Sequence, residues 1–271
     1  MNSKDFIPPV LIKLIKKIRG INSLKRYLDY SAAIQDCTSN PYQNIELCNM
    51  IAEKSVVYAD KLQAKPFILN PKNTFLLSTI SQYINVFLKK EITILDFGGA
   101  CGTHYYEMKR LIPQHIAIKW YVVETEQMVK SAIEKGLNNT ELEFVTNIKD
   151  VKNKVDIIYS SCALGYVPNP YEFTMKLLSL EANYILIDRM VFNNSNSDFI
   201  TIQKSLLSSN GPGKLPVGYI DRVISYPHTT LSFNKFNSAI VSKGYELNWI
   251  FHETFGSNQL NTGNGQLYTK K

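Results

Sequence analysis

Residues 94–102 read Ile-Leu-Asp-Phe-Gly-Gly-Ala-Cys-Gly. A β-branched run carries Asp96 to a turn made of Gly98, Gly99, Ala100 and Gly102, and a helical pattern from Thr103 to Leu111 follows until Pro113. Glycines let the backbone take positive φ and let a ligand approach closely. The start of the next helix offers unbonded N–H groups to an anionic ligand group. The dinucleotide fingerprint would need glycine at 100 and 103, where Ala100 and Thr103 stand, and there is no phosphate-loop GxxxxGK[ST] pattern. A nicotinamide-dependent oxidoreductase and a nucleoside triphosphatase are therefore disfavoured.

Three further segments can line the same edge. Trp120-Tyr121-Val122-Val123 is a second strand ending in Glu124, which follows Gly102 by 22 residues. A carboxylate about 20 residues past such a turn can accept both hydroxyls of a ribose. Asn147 follows the third strand, where an amide can meet a base edge or simply make a turn. The fourth strand runs into Ser161 and then Tyr166, which could wall a pocket. Of the four histidines, His104 opens the helix after the turn and His228 follows Tyr226-Pro227; these two are the candidate bases. Asp188-Arg189 ends the fifth strand and could hold a hydroxyl and an anionic group.

The elements that must position these residues alternate. Strands are expected at 92–97, 118–123, 142–146, 155–160 and 183–188, with helices at 103–111, up to Gly136, and near 171–180. This is the rhythm of βαβ units and a parallel sheet. Helices at 9–19, 43–63 and 72–90 precede it. Residues 193–197 and 208–214 read as loops, 233–242 as a helix, and 245–254 with 266–269 as an antiparallel hairpin at the sheet edge. The expected architecture is α/β: a Rossmann-like, doubly wound, mostly parallel sheet (91–271) behind a helical N-terminal cap (1–90) that closes over the ligand.

Composition narrows the class. The chain has 271 residues, 45% hydrophobic, with a net charge of +7. Lys4, Lys13, Lys16, Lys17, Arg19, Lys25 and Arg26 stand against Asp5 and Asp29 in the first 30 residues, so the body is nearly neutral. A nucleic-acid binder would spread its charge over a working face. The basic amphipathic helix 9–19 could touch anionic lipid weakly or pack on the cap. No apolar run is long enough to span a bilayer, and lysines interrupt the N-terminal apolar stretch, so no signal peptide is read. Cys37, Cys48, Cys101 and Cys162 form no CxxC pair, so no metal is assigned and a reducing, cytoplasmic setting is expected, with the inner membrane face as a further possibility.

Asp96 before the turn, the glycines with Ala100 in the middle position, and Glu124 resemble the class I S-adenosylmethionine-dependent methyltransferases. More narrowly, Leu95–Gly99, Trp120–Thr125, Ala163–Pro170, Ile187–Arg189, Ile200–Gln203, Ser225–Pro227 and Gly244–Leu247 resemble a bacterial methyltransferase family encoded among surface-polysaccharide (O-antigen and capsule) genes. The resemblance implies S-adenosylmethionine as cofactor, held by Asp96, Gly98, Gly99, Ala100, Gly102, Glu124, Asn147, Ser161 and Tyr166. It implies a small-molecule or glycan acceptor, methylated on oxygen, with His104, His228 and Asp188 as candidate catalytic groups. A nucleic-acid methyltransferase lacks support, because no Asn/Asp-Pro-Pro-Tyr element follows the fourth strand. A non-catalytic scaffold of the same fold stays open, as does the oligomeric state.

Overall fold

A computed structural model describes residues 25–37, 43–254 and 262–271. The helix expected at 9–19 lies outside the described residues. The first described helices are α1 (Tyr30–Gln35), capped by Asp29, and α2 (Ile45–Leu62), capped by Asn44, whose side chain accepts from the Leu47 amide. A single 3-10 turn, Pro71–Asn73, leads into α3 (Thr74–Val86).

The βαβ rhythm follows as expected: β1 (Glu91–Phe97), α4 (Thr103–Leu111), β2 (Ala117–Val123), α5 (Glu126–Glu134), β3 (Leu142–Val145), β4 (Ile157–Ser161), α6 (Pro170–Leu178) and β5 (Tyr184–Asn193). Strands β3-β2-β1-β4-β5 lie side by side and parallel. This is the order of the doubly wound nucleotide-binding sheet, which binds ligands beyond the carboxyl ends of its strands.

Two sets of strands complete the sheet. After β6 (Phe199–Leu206), β7 (Val223–Ser232) and α7 (Phe233–Val241), the chain ends in β8 (Tyr245–Thr254) and β9 (Thr262–Lys270). The expected terminal hairpin forms, with β9 antiparallel to both β5 and β8. The β6–β7 antiparallel pair was not expected from the sequence. Its strands hold Pro227, Gln203 and several serines and threonines, which blur the alternation that marks a strand. β5 also runs five residues past its expected end, and its last two residues pair with β7.

The parity of burial along the strands shows both faces covered. Ile92, Ile94, Trp120 and Val122 pack with Met50, Ile80, Met108 and Met128 under α2–α5. Leu95, Phe97, Ile158 and Ile185 pack with Leu177 and Phe236 under α6 and α7. The helices before β1 therefore share one core with the sheet. Asn49 accepts from Ser131 at 2.8 Å and Lys135 pairs with Glu53 at 3.1 Å, joining α2 to α5. Among the described residues no helix is long and apolar enough to cross a membrane.

Candidate ligand site at the carboxyl ends of the strands

The turn after β1 is shaped by close contacts. Gly98 has φ +71°, and a Cβ there would lie 2.2 Å from Ala163 Cβ in the turn after β4. At Gly99 a Cβ would lie 2.4 Å from Asp96 Oδ2, so the buried carboxylate fills the space a side chain would need. Ala100 takes φ 50°, a left-handed value that its Cβ makes unfavourable by about 1–2 kcal/mol. The middle position is thus glycine-like in shape although it holds alanine. Gly102, at φ +74°, begins α4 against Leu142 and Phe144 of β3.

Glu124 closes this turn from β2. Its Oε1 accepts from the Ala100 amide at 3.1 Å and its Oε2 from the Thr125 amide at 3.0 Å. Burial pushes its carboxyl up to about 7, against the pull of those two amides. Two bonds leave lone pairs on both oxygens, because a carboxylate has about four acceptor positions.

A polar chain crosses from β1 to β5. His104 Nδ1 lies 2.9 Å from Asp96 Oδ2, and its Nε2 lies 3.2 Å from an Arg189 terminal nitrogen. A guanidinium only donates, so in this hydrogen-bonded arrangement Nε2 accepts and Nδ1–H donates to Asp96. Arg189 Nε donates to Ser161 Oγ at 2.5 Å. Asp188, fully buried, accepts from the Arg189 amide at 2.8 Å and from Tyr159 at 3.3 Å. Burial raises the Asp188 carboxyl above its ordinary value, and Arg189 opposes that rise. A β-bulge in the pairing with β9 and a φ of 55° at Arg189 aim this guanidinium at the site.

The structure therefore gathers Asp96, Gly98, Gly99, Ala100, Gly102, His104, Glu124, Ser161 and Asp188 at one edge. Asn147 is exposed and spends its side-chain oxygen on the Lys149 amide at 3.0 Å, capping a 3-10 turn. His228 and Tyr166 form a second cluster on the β6–β7 pair. Their rings lie 4.8 Å apart, and Tyr166 donates to Gln203 at 2.7 Å. His228 is 2% exposed and packs so tightly beneath Gly165 that a Cβ there would lie 2.6 Å from its Nε2. Burial lowers its pKa to about 4, so this imidazole is neutral at physiological pH.

A cavity of about 530 Å³ opens beside Ala100, Thr103, His104 and Arg189, within the range typical of small-molecule sites. α2 and the 211–213 loop roof it. Lys54, buried on α2, holds that loop by donating to the carbonyls of Ser208 (2.9 Å) and Asn210 (2.5 Å). Deeper in the cavity lies Glu107, which the sequence reading missed. It is 1% exposed and accepts from Tyr58 and, at 2.6 Å, from Asn73. The available signal was its position three residues after His104, on the same face of α4.

Burial pushes the Glu107 carboxyl up to about 7. An unfolded glutamate titrates near 4.3, so the folded chain holds this proton more tightly and loses stability as pH rises toward 7. Glu107→Gln removes that loss. Between pH 5 and 8 the parent is expected to weaken against the variant by about 2–3 kcal/mol, measured from urea midpoints. Parallel pH profiles would show an unperturbed carboxyl.

Fold and site together define a doubly wound α/β protein with a polar cavity at the carboxyl ends of its strands. No protein-family model matches the chain, and no curated protein matches its sequence. Among solved structures it is similar to an S-adenosylmethionine-dependent methyltransferase from Clostridium acetobutylicum ATCC 824, at 10% identity and TM-score 0.48, over 80% of this chain and 98% of that one. It is similar to the glycopeptide N-methyltransferase MtfA complexed with S-adenosylmethionine, at 8% identity and TM-score 0.46, over 75% and 99%. It is also similar to magnesium protoporphyrin IX methyltransferase (ChlM) from Synechocystis PCC 6803 with bound S-adenosylhomocysteine, at 10% identity and TM-score 0.46, over 83% and 99%.

Proposed function

We propose that this chain is an S-adenosylmethionine-dependent methyltransferase that methylates a hydroxyl, in a glycan or nucleotide-sugar intermediate of surface polysaccharide. The observation that carries the reading is the turn Gly98–Gly102 bonded through the Ala100 amide to Glu124, at the mouth of a cavity of suitable size. The resemblance of the turn and of Glu124 to class I enzymes adds to it, and the polysaccharide acceptor rests on the narrower resemblance alone.

The residues fit the cofactor. Glu124 keeps lone pairs for two ribose hydroxyls after bonding the turn. Gly98 and Gly99 let the turn pack directly against Ala163 and Asp96, and Asp96 sits behind it as the carboxylate that shapes it. The cofactor supplies a sulfonium methyl, open to in-line attack by an acceptor oxygen. The chain supplies alignment, which can contribute several kcal/mol to the barrier, and a place for the acceptor's proton. Asp96 orients the His104 ring by accepting from Nδ1–H, which leaves the Nε2 lone pair toward Arg189 and the cavity. A hydroxyl that replaces Arg189 at Nε2 gives its proton there as the methyl is transferred.

Calorimetric titration with S-adenosylmethionine and S-adenosylhomocysteine tests the reading. Binding is expected, and Glu124→Ala is expected to weaken it at least about tenfold, because two hydrogen bonds to a charged acceptor are lost. Failure of the folded parent to bind either compound would defeat the reading and leave a non-catalytic scaffold of this fold.

A further inference from the structure

The inner wall of the cavity has no part in that chemistry, and its polar groups are unusual. Glu107 is the one acid lining the cavity among the described residues, and it is almost fully buried. Its hydrogen bonds come from neutral donors, the Tyr58 and Asn73 side chains and the Asn70 backbone, and Arg189, which lines the same cavity, acts on it through space without an ion pair among the described residues. Beside it, Asn73 Oδ1 is buried and has no hydrogen-bond partner among the described residues. Asn73 itself is 4% exposed. A buried acceptor left unpaired costs about 1–3 kcal/mol, so this corner is built to receive donors. Ile51 and Leu69 add apolar lining to the same cavity.

We propose that this inner wall recognises the acceptor, and that it takes a protonated primary amine: the acceptor is an amino sugar or amino alcohol whose hydroxyl lies at His104. An ammonium brings three donors to a place that offers acceptors, and its positive charge, like that of Arg189 in the same cavity, favours the ionised form of the Glu107 carboxyl. A hydroxyl brings one donor and no charge. A divalent cation would find a single acid, and no cluster of metal-binding side chains exists among the described residues. His104 and Glu107 are three residues apart on α4, with Cβ atoms about 5–6 Å apart. One small molecule can therefore place its amine at Glu107 and its hydroxyl at His104. The assignment of the hydroxyl rests on the methyltransferase reading, whereas the amine pocket stands on Glu107 and Asn73.

The test is calorimetric titration of the full chain with glucosamine and ethanolamine, and with glucose and N-acetylglucosamine as uncharged counterparts. S-Adenosylmethionine is titrated into the same proteins. The amines are expected to bind and their counterparts to bind at least about tenfold more weakly. Glu107→Gln is expected to lose at least about tenfold in amine affinity while cofactor affinity stays. Equal binding of charged and neutral probes, or an unchanged Glu107→Gln, overturns the proposal. Cofactor binding without amine binding overturns it and leaves the methyltransferase reading in place. Amine binding without cofactor binding supports the pocket and removes that reading. Loss of cofactor affinity in Glu107→Gln with no amine bound would put the cofactor's own amino group there and overturn the proposal. Should Glu107→Gln not fold, Pro212→Trp decides. It lies in the half-exposed loop at the cavity mouth, and amine binding that survives it overturns the proposal.

Discussion

Gly98→Ala is expected to destabilise the fold by about 2–5 kcal/mol, combining a left-handed backbone with a forced core contact. The new Cβ would lie 2.2 Å from Ala163 Cβ, a contact that only backbone movement can relieve. Gly136 provides the control. It has nearly the same φ, +69° against +71°, but an added Cβ there meets nothing within 4 Å. Gly136→Ala should therefore show the backbone strain alone, about 1–2 kcal/mol. At roughly 2–4 °C per kcal/mol for chains approaching this size, the two melting temperatures should separate clearly. Equal losses would mean that the turn after β1 and the turn after β4 are not packed as described. The same substitution should also weaken cofactor binding, because the turn would move away from Glu124.

Arg189→Ala is expected to be similarly severe, for an electrostatic reason. The guanidinium bonds Ser161 and His104 and stands 4.0 Å from the fully buried Asp188. Removing one partner from a buried charged group typically costs about 3–5 kcal/mol, because the other charge stays behind. Arg189→Lys separates charge from geometry. A lysine restores a cation near Asp188 but cannot reach Ser161 and His104 together from one nitrogen. It should regain part of the stability, read from urea midpoints, and little of any turnover. A stable Arg189→Ala would show that Asp188 is carried by Tyr159 and the Arg189 amide without the guanidinium.

The two substitutions probe links of different origin. The turn at 98–102 was legible because its constraints are local: a strand, glycines at fixed spacing and a helix start impose positive φ whatever the rest of the chain does. The alternation of strands and helices was legible for the same reason, since period and punctuation are written within each segment. It placed β1 to β5 within a few residues, and with them the carboxyl edge where Asp96, Glu124, Ser161 and Asp188 had to meet.

The β6–β7 pair was not legible, because its register is set by partners far away in sequence and its polar strands carry no period. The roles of the histidines followed from it. His104 and His228 look alike as sequence, each near a turn and an aromatic. Only packing separates them: Asp96 and Arg189 bracket His104 at the cavity, whereas β7 buries His228 beneath Gly165, where desolvation keeps it neutral. Glu107 shows the same limit more sharply. Its type and its helical spacing from His104 belong to the sequence. Its charge state, its bonds to Tyr58 and Asn73, and the unpaired oxygen beside it arise only when α2 and the turn before α3 close over α4. Local backbone preference is a property of short segments, whereas desolvation and unpaired polar groups are properties of what surrounds an atom, and that is decided by tertiary structure.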